Sequence, residues 1–563
     1  MDDKFEELRN AADFIKNNEY LPAAKCYANA AELMEKAGNI EEAELIFQNI
    51  IDCYEKEADS NIKQKNYYDA AEILLSAGEL KNRLNQEDLA KKYYEKAVQQ
   101  FINAAEQALN EKNLKSAGDY FNKAAFHLEE IEDIQKSTKF YKNAIDCYQK
   151  FVNQILNKDD LKTASQITQT IALLYERIGN YEKAIEIDKE ALEMAKNGEF
   201  IQIITDCYLH IAHCFLQINK KDDMIDALIT AKDYNIKNGK RKIQKDDYLE
   251  AAECFDNAIS ILKELVRLLD DNDEILKELK QSYISEAECY LKIAESDLKL
   301  DEIDRAAHFQ RNAALCYRYI NEHKKAAELF LEAGKNFENI NAQKLASINF
   351  RDAGLQYELI KDPKTAAELL RKAAELAKSE GPIEISLECY RSTLRNYLYI
   401  DYMTKYEELL EELEELLISL AKEEEIEKNF HIAASYLFEI GNYYDTLNKP
   451  KKAEIYYNEA IQQLQKAVAI AIEENQLTIG AYSLCCLIIL KLILNDTNIE
   501  PILEKYRKDL SQNHYFIFSL NLFNAFITEK KEILGIIEKY EHIIKHSDEL
   551  DYLISKLMEK IKN

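Results

Sequence analysis

The sequence predicts an all-α protein, a stack of antiparallel helical hairpins with a C-terminal helical bundle. Three observations lead there. The 563 residues include only 12 Gly and 5 Pro while 47% are hydrophobic, and long alternating β-branched runs are absent, so the helical period dominates. A pattern of Ala, three residues, a bulky apolar residue, two residues and Ala recurs at Ala23/Tyr27/Ala30, Ala70/Leu74/Ala77 and Ala117/Phe121/Ala124, in steps of 47. Finally, 437–460 reads as one complete hairpin. Leu437, Ile440, Gly441 and Tyr444 share a helical face, Asn448-Lys449-Pro450 breaks it, and Ala453, Tyr457 and Ala460 mark a second face. Small residues at the crossing let two backbones approach, and rings fill the space beside them.

A second series, Ala43/Phe47/Ile50, Ala90/Tyr94/Ala97, Ser137/Tyr141/Ala144 and Ala184/Asp188/Ala191, also steps by 47 and is offset from the first by 20. The first ~200 residues are therefore expected to be hairpins in strict register. Asp188 is a lapse at the ring position, and the register loosens after it. The basic cluster Lys237, Lys240, Arg241, Lys242 and Lys245 falls next and is expected to form a loop between two arrays, 1–240 and 246–495. The signature resumes at Ala251/Phe255/Ala258, with long helices over 262–298 and a turn near 270–273. From Ala306 the spacing is 20 residues per helix, through Ala326/Phe330/Ala333, Ala346/Phe350/Ala353 and Ala366/Leu370/Ala373. Gly381-Pro382 is a breaker, and the other prolines, Pro22, Pro363, Pro450 and Pro501, also fall near breaks. The acidic stretch 406–428, with Leu409, Leu410, Leu413, Leu416 and Leu417, predicts an amphipathic helix with one wet face. The alanine signature fades after Asn495, so 496–563 is expected to be a closing helical bundle.

The hairpin at 437–460 resembles a tetratricopeptide repeat, which implies a right-handed solenoid of hairpins. Two further stretches resemble the soluble NSF attachment proteins. One is 113–148, with its A-G-x-x-F-x-x-A-A run and Tyr-rich partner helix. The other is the C-terminal segment, where Leu550, Asp551, Ile554, Ser555 and Ile561 resemble a closing L-D-x-W-L-T start and I-K ending; the family's Trp position is Leu553 here. That resemblance implies a non-catalytic adaptor. Its partners would be SNARE-like helical bundles or coiled coils and an AAA ATPase, in membrane trafficking. The alternative is a generic tetratricopeptide-repeat scaffold that binds peptides or assembles a complex.

The net charge of −29 argues against a nucleic-acid binder, which needs a basic face. The greasiest run, 484–494, is interrupted by Lys491 and is shorter than the ~20 residues a span requires. A charged N-terminus without an apolar signal core adds to the expectation of a cytoplasmic protein with at most peripheral membrane association. Of the eleven cysteines, nine precede Tyr or Phe, a repeat-core context that disfavours a disulfide framework. Cys207, His210 and Cys214 have spacings that place them on one helical face, as zinc ligands require, but two of them belong to that core pattern. His542 and His546 are a turn apart without a matching motif. No Gly-rich phosphate loop, G-x-S-x-G or C-x-x-C occurs. No catalytic residue, metal or cofactor is therefore expected. The basic cluster at 237–245 is the candidate contact for an acidic partner.

Overall fold

A computed structural model describes residues 2–37, 39–158, 160–269, 272–545 and 547–562. The described residues form 27 helices and no strand. The chain divides into two compact units, Met1–Ile293 and Ala294–Asn563.

The first unit opens with α1 (Asp2–Lys16), α2 (Tyr20–Lys36), α3 (Ile40–Lys63), α4 (Tyr67–Arg83), α5 (Glu87–Asn110), α6 (Leu114–Glu130) and α7 (Ile134–Leu156). It continues through α8 (Leu161–Arg177), α9 (Tyr181–Asn197), α10 (Ile201–Gln217), α11 (Lys221–Ile243), α12 (Tyr248–Leu268) and most of α13 (Asp273–Lys299). Consecutive helices pack as antiparallel hairpins. The 47-residue period is a 17-residue helix, a 24-residue helix and two three-residue turns, as in α4 and α5. The register loosens after Asp188 because α9 has only 17 residues.

In the second unit, α14 (Ile303–Tyr319), α15 (His323–Asn339), α16 (Gln343–Leu359), α17 (Pro363–Glu380) and α18 (Ile383–Tyr399) follow one another almost without variation in length. This is the 20-residue spacing expected from Ala306 onward. They are followed by α19 (Met403–Ile426), α20 (Phe430–Thr446), α21 (Pro450–Glu473) and α22 (Leu477–Ile493). The acidic α19 buries Leu409, Leu410, Leu413 and Leu417 and exposes Glu407, Glu408, Glu411 and Glu415, while Glu414 accepts from the Tyr444 and Tyr456 hydroxyls. The closing helices α23 (Glu500–Leu510), α24 (His514–Thr528), α25 (Glu532–Lys539), α26 (Glu541–Ile544) and α27 (Asp548–Lys562) are shorter and irregular. They share one core with α20 and α22.

The turns explain how so few glycines suffice. After α4, Asn85 takes φ 55°, its N–H donates to the Asn82 carbonyl, and the Gln86 N–H donates to the Lys81 carbonyl at 2.9 Å. This is a Schellman motif. The left-handed residue is usually Asn or Asp, as at Asn219, Asp246, Asn321 and Asn448, residues that tolerate this conformation. The residue after it caps the next helix. Asn113, Asp133, Asn180 and Asp362 each accept a backbone N–H three residues on.

The loop expected at 237–245 is helical as far as Ile243. Lys237, Lys240, Arg241 and Lys242 ride the last turns of α11, and Lys245 lies in the short turn to α12. Cations there face the helix's exposed carbonyls, so the basic run suits a C-terminus better than it breaks one. Asp270 and Asp271 of the expected 270–273 turn lie outside the described residues, as does His546.

Candidate functional site

In the first unit the helix lattice generates a recurring cleft. Glu32, Glu35, Phe47, Ser76, Glu79 and Arg83 line one between α2, α3 and α4, with a volume of about 570 Å³. Phe126, Glu129, Tyr141, Thr170, Leu173 and Arg177 line another between α6, α7 and α8, of about 720 Å³. The two sets match residue for residue at a separation of 94, two lattice periods. In the first, Arg83 pairs with Glu35 at 2.6 Å and sits over the Phe47 ring at 4.6 Å. In the second, Arg177 approaches Glu129 at 3.7 Å, and the Tyr141 hydroxyl donates to Glu129 at 2.8 Å. Burial, reinforced by Glu129, pushes the Tyr141 phenol well above its ordinary value.

The clefts differ where it matters for binding. The lattice positions of Glu32 and Glu79 become Phe126 and Leu173, which are 42% and 43% exposed. At the rim of the second cleft, Lys123 donates to the Tyr68 hydroxyl at 2.8 Å and pairs with Glu72. The second cleft therefore offers two wet apolar side chains, and the cations at its rim, Lys123 and Arg177, are held by Glu72 and Glu129.

The next lattice position is Asp188. In place of a ring from its own helix, the site receives the imidazole of His210. Its Nδ1–H donates to Asp188 Oδ2 at 2.5 Å and its Nε2–H to Glu176 Oε2 at 2.9 Å. His213 also reaches Glu176, at 3.1 Å. Burial works against the charge on His210, but Asp188 and Cys214 together outweigh it and the imidazole pKa rises to about 11. Burial pushes the Asp188 carboxyl up to about 6, against the hydrogen bond from His210. Both ring nitrogens face carboxylates, so His210 acts as the cation of a buried pair. Cys214, 3.6 Å from Nε2, and Cys207 are buried core residues. The spacing on α10 revealed the cluster but not its purpose, because the acids come from α8 and α9. An acid at a ring position followed by a His-rich helix was the available signal.

Within the basic cluster, Arg241 pairs with Glu199 at 2.7 Å, and Lys242 pairs with Asp247 and Glu250. Lys237, Lys240 and Lys245 are exposed and have no ion pair among the described residues. In α27, Leu550 and Ile554 are buried, Ile561 packs against the same core, and Asp551 and Ser555 are exposed. The helix is held along α20, with Tyr552 edge-on to Phe438 at 5.7 Å and Lys556 and Lys560 at 3.4 and 3.5 Å from Asp445. Among the described residues, no helix is long and apolar enough to cross a membrane.

This is an all-helical protein built from tetratricopeptide-type hairpins. The tetratricopeptide repeat family model matches it at 63–100, 166–197 and 434–463, and the last stretch contains the hairpin at 437–460. No curated protein matches the chain. Among solved structures, it is similar to a signal-transduction ATPase with numerous domains and a tetratricopeptide repeat sensor from Pyrococcus horikoshii. The identity is 15%, over 68% of this chain and 54% of that one, at a TM-score of 0.30; the present chain thus spans about half the ATPase's length. It is also similar to the apo form of RapI, at 13% identity over 74% of this chain and 98% of that one, with a TM-score of 0.28. A complex of the TPR2AB domain of yeast Sti1 with pHSP90 is a third, at 16% identity over 58% and 98%, with a TM-score of 0.16.

Proposed function

We propose that the protein is a non-catalytic interaction scaffold and that the cleft between α6, α7 and α8 takes an apolar side chain of a partner peptide. The observation that carries this reading is the lattice substitution of Phe126 and Leu173 for Glu32 and Glu79. Position for position, the fold tolerates acids there, so the apolar pair is not needed to build the hairpins.

The lattice also supplies the test. Phe126→Glu with Leu173→Glu restores the side chains the first cleft already carries, so folding is preserved. Fluorescence polarisation against a panel of short peptides, each carrying an apolar anchor, is expected to show saturable binding that the double variant weakens by about tenfold or more. Equal binding by both proteins would overturn the reading.

A finer reading follows the resemblance to soluble NSF attachment proteins, with a SNARE-like coiled coil as the partner and an AAA ATPase as a further one. The irregular closing helices and the exposed Lys237, Lys240 and Lys245 support it, with the lysines as contacts for an acidic bundle. The buried Leu550 and Ile554 serve ordinary packing, which leaves Asp551 and Ser555 as the exposed positions of that segment. Pull-down with a SNARE-type coiled coil separates the readings. Capture of the coiled coil favours the adaptor, whereas capture of short peptides alone favours the scaffold.

A further inference from the structure

His431, Cys486 and Glu549 come from three different helices of the second unit: the first turn of α20, the middle of α22 and the first turn of α27. Their ligand atoms lie within 4.8 Å of one another. Imidazole nitrogen, thiolate sulfur and carboxylate oxygen are the donor types that Zn²⁺ prefers. A thiolate and a carboxylate together carry two negative charges, matching a divalent cation. Cys486 is 1% exposed, whereas the His431 and Glu549 side chains are 23% and 28% exposed. One donor is therefore buried and the other two are partly reached by water.

The surroundings orient these donors. His431 Nδ1 lies 3.0 Å from Ser483 Oγ, and its Nε2 points at Glu549 Oε2 at 2.9 Å. A serine hydroxyl both donates and accepts, so Ser483 supports either tautomer. In one, the Nε2–H donates to Glu549. In the other, the Nδ1–H donates to Ser483 and leaves the Nε2 lone pair free for a metal. The Tyr482 hydroxyl donates to Glu549 Oε2 at 2.9 Å and lies 2.5 Å from Ser547 Oγ, which fixes the carboxylate. Such hydrogen bonds to ligand side chains are characteristic of built metal sites.

We propose that His431, Cys486 and Glu549 bind one Zn²⁺ ion, with water in the remaining position, and that the ion fastens the first turn of α27 to α20 and α22. Binding displaces the Cys486 thiol proton to solvent and involves no redox change. The site is independent of the α6–α8 cleft and of any peptide partner.

Isothermal titration of the chelator-treated full chain with Zn²⁺ is expected to show one equivalent bound. Cys486→Ser and Glu549→Gln each weaken the affinity by about tenfold or more, and Ser483→Ala, which leaves all three ligands in place, by about tenfold to a hundredfold. Zn²⁺ is expected to raise the melting temperature of the wild type but not of Cys486→Ser. Co²⁺ added to the unmutated chain should give a thiolate-to-cobalt charge-transfer band, a readout that needs no variant to fold. No saturable single site, binding unchanged by Cys486→Ser, or a Co²⁺ spectrum without the thiolate band would each overturn the proposal.

Discussion

Asp188 and His210 show how a single departure from a repeat is absorbed. Phe47, Tyr94 and Tyr141 fill equivalent sites, and at the fourth the ring comes from the following helix while an acid neutralises it. Asp188 is fully buried, its Oδ2 faces His210, and its Oδ1 has no hydrogen-bond partner. Removing Asp188 leaves the buried Nδ1–H of His210 without its acceptor, and only the partly exposed Glu176 remains to balance the imidazolium. Asp188→Ala should therefore cost about 3–5 kcal/mol in urea denaturation. The pH dependence follows from the raised His210 pKa. Between its ordinary value of 6.5 and about 11, the folded chain holds a proton that the unfolded chain has released. The stabilisation is complete below 6.5 and is lost as pH rises toward 11. Denaturation midpoints should fall from pH 7 to pH 10, and His210→Gln should flatten that slope; an unchanged slope would contradict the assignment.

The helix crossings obey the rule seen in the hairpin of α20 and α21. A Cβ at Gly441 would lie 2.5 Å from the Tyr457 ring, and one at Gly78 would lie 2.6 Å from the Tyr94 ring. Each ring follows its glycine by sixteen residues, as in Gly239 with Phe255 and Gly334 with Phe350. Alanine is the better helix former by about 1 kcal/mol, so Gly441→Ala sets helix propensity against packing. Tyr457 is 1% exposed and cannot swing away without disturbing the core, so the overlap wins. The net loss should be about 1–2 kcal/mol by chemical denaturation. A gain in stability would show that the hairpin can open there.

For the molecule as a whole, 102 acidic residues face 73 basic ones, so a second acidic chain meets general repulsion. Contact is then favoured at exposed cations that form no ion pair among the described residues. Lys237, Lys240 and Lys245 fit that requirement, whereas Arg241 and Lys242 are already neutralised within the chain. If these three lysines hold an acidic bundle, its affinity should fall as salt rises from low to physiological strength. The triple change Lys237→Gln, Lys240→Gln and Lys245→Gln should lower the affinity and flatten the salt response. Salt-independent binding would place the contact elsewhere.

The sequence by itself determined the helical class, the 47- and 20-residue spacings and the small-residue-and-ring crossings. All of these depend on side chains close in sequence, where the helical period alone decides which residues meet. It misread 237–243 as part of a loop, because a run of cations resembles a solvated linker until it is known to lie at a helix C-terminus. Only the tertiary structure decided which acids meet His210, that Phe126 and Leu173 open into one cleft, and that His431, Cys486 and Glu549 converge. Those groups lie on separate helices, tens of residues apart, and no local periodicity records a meeting made by stacking.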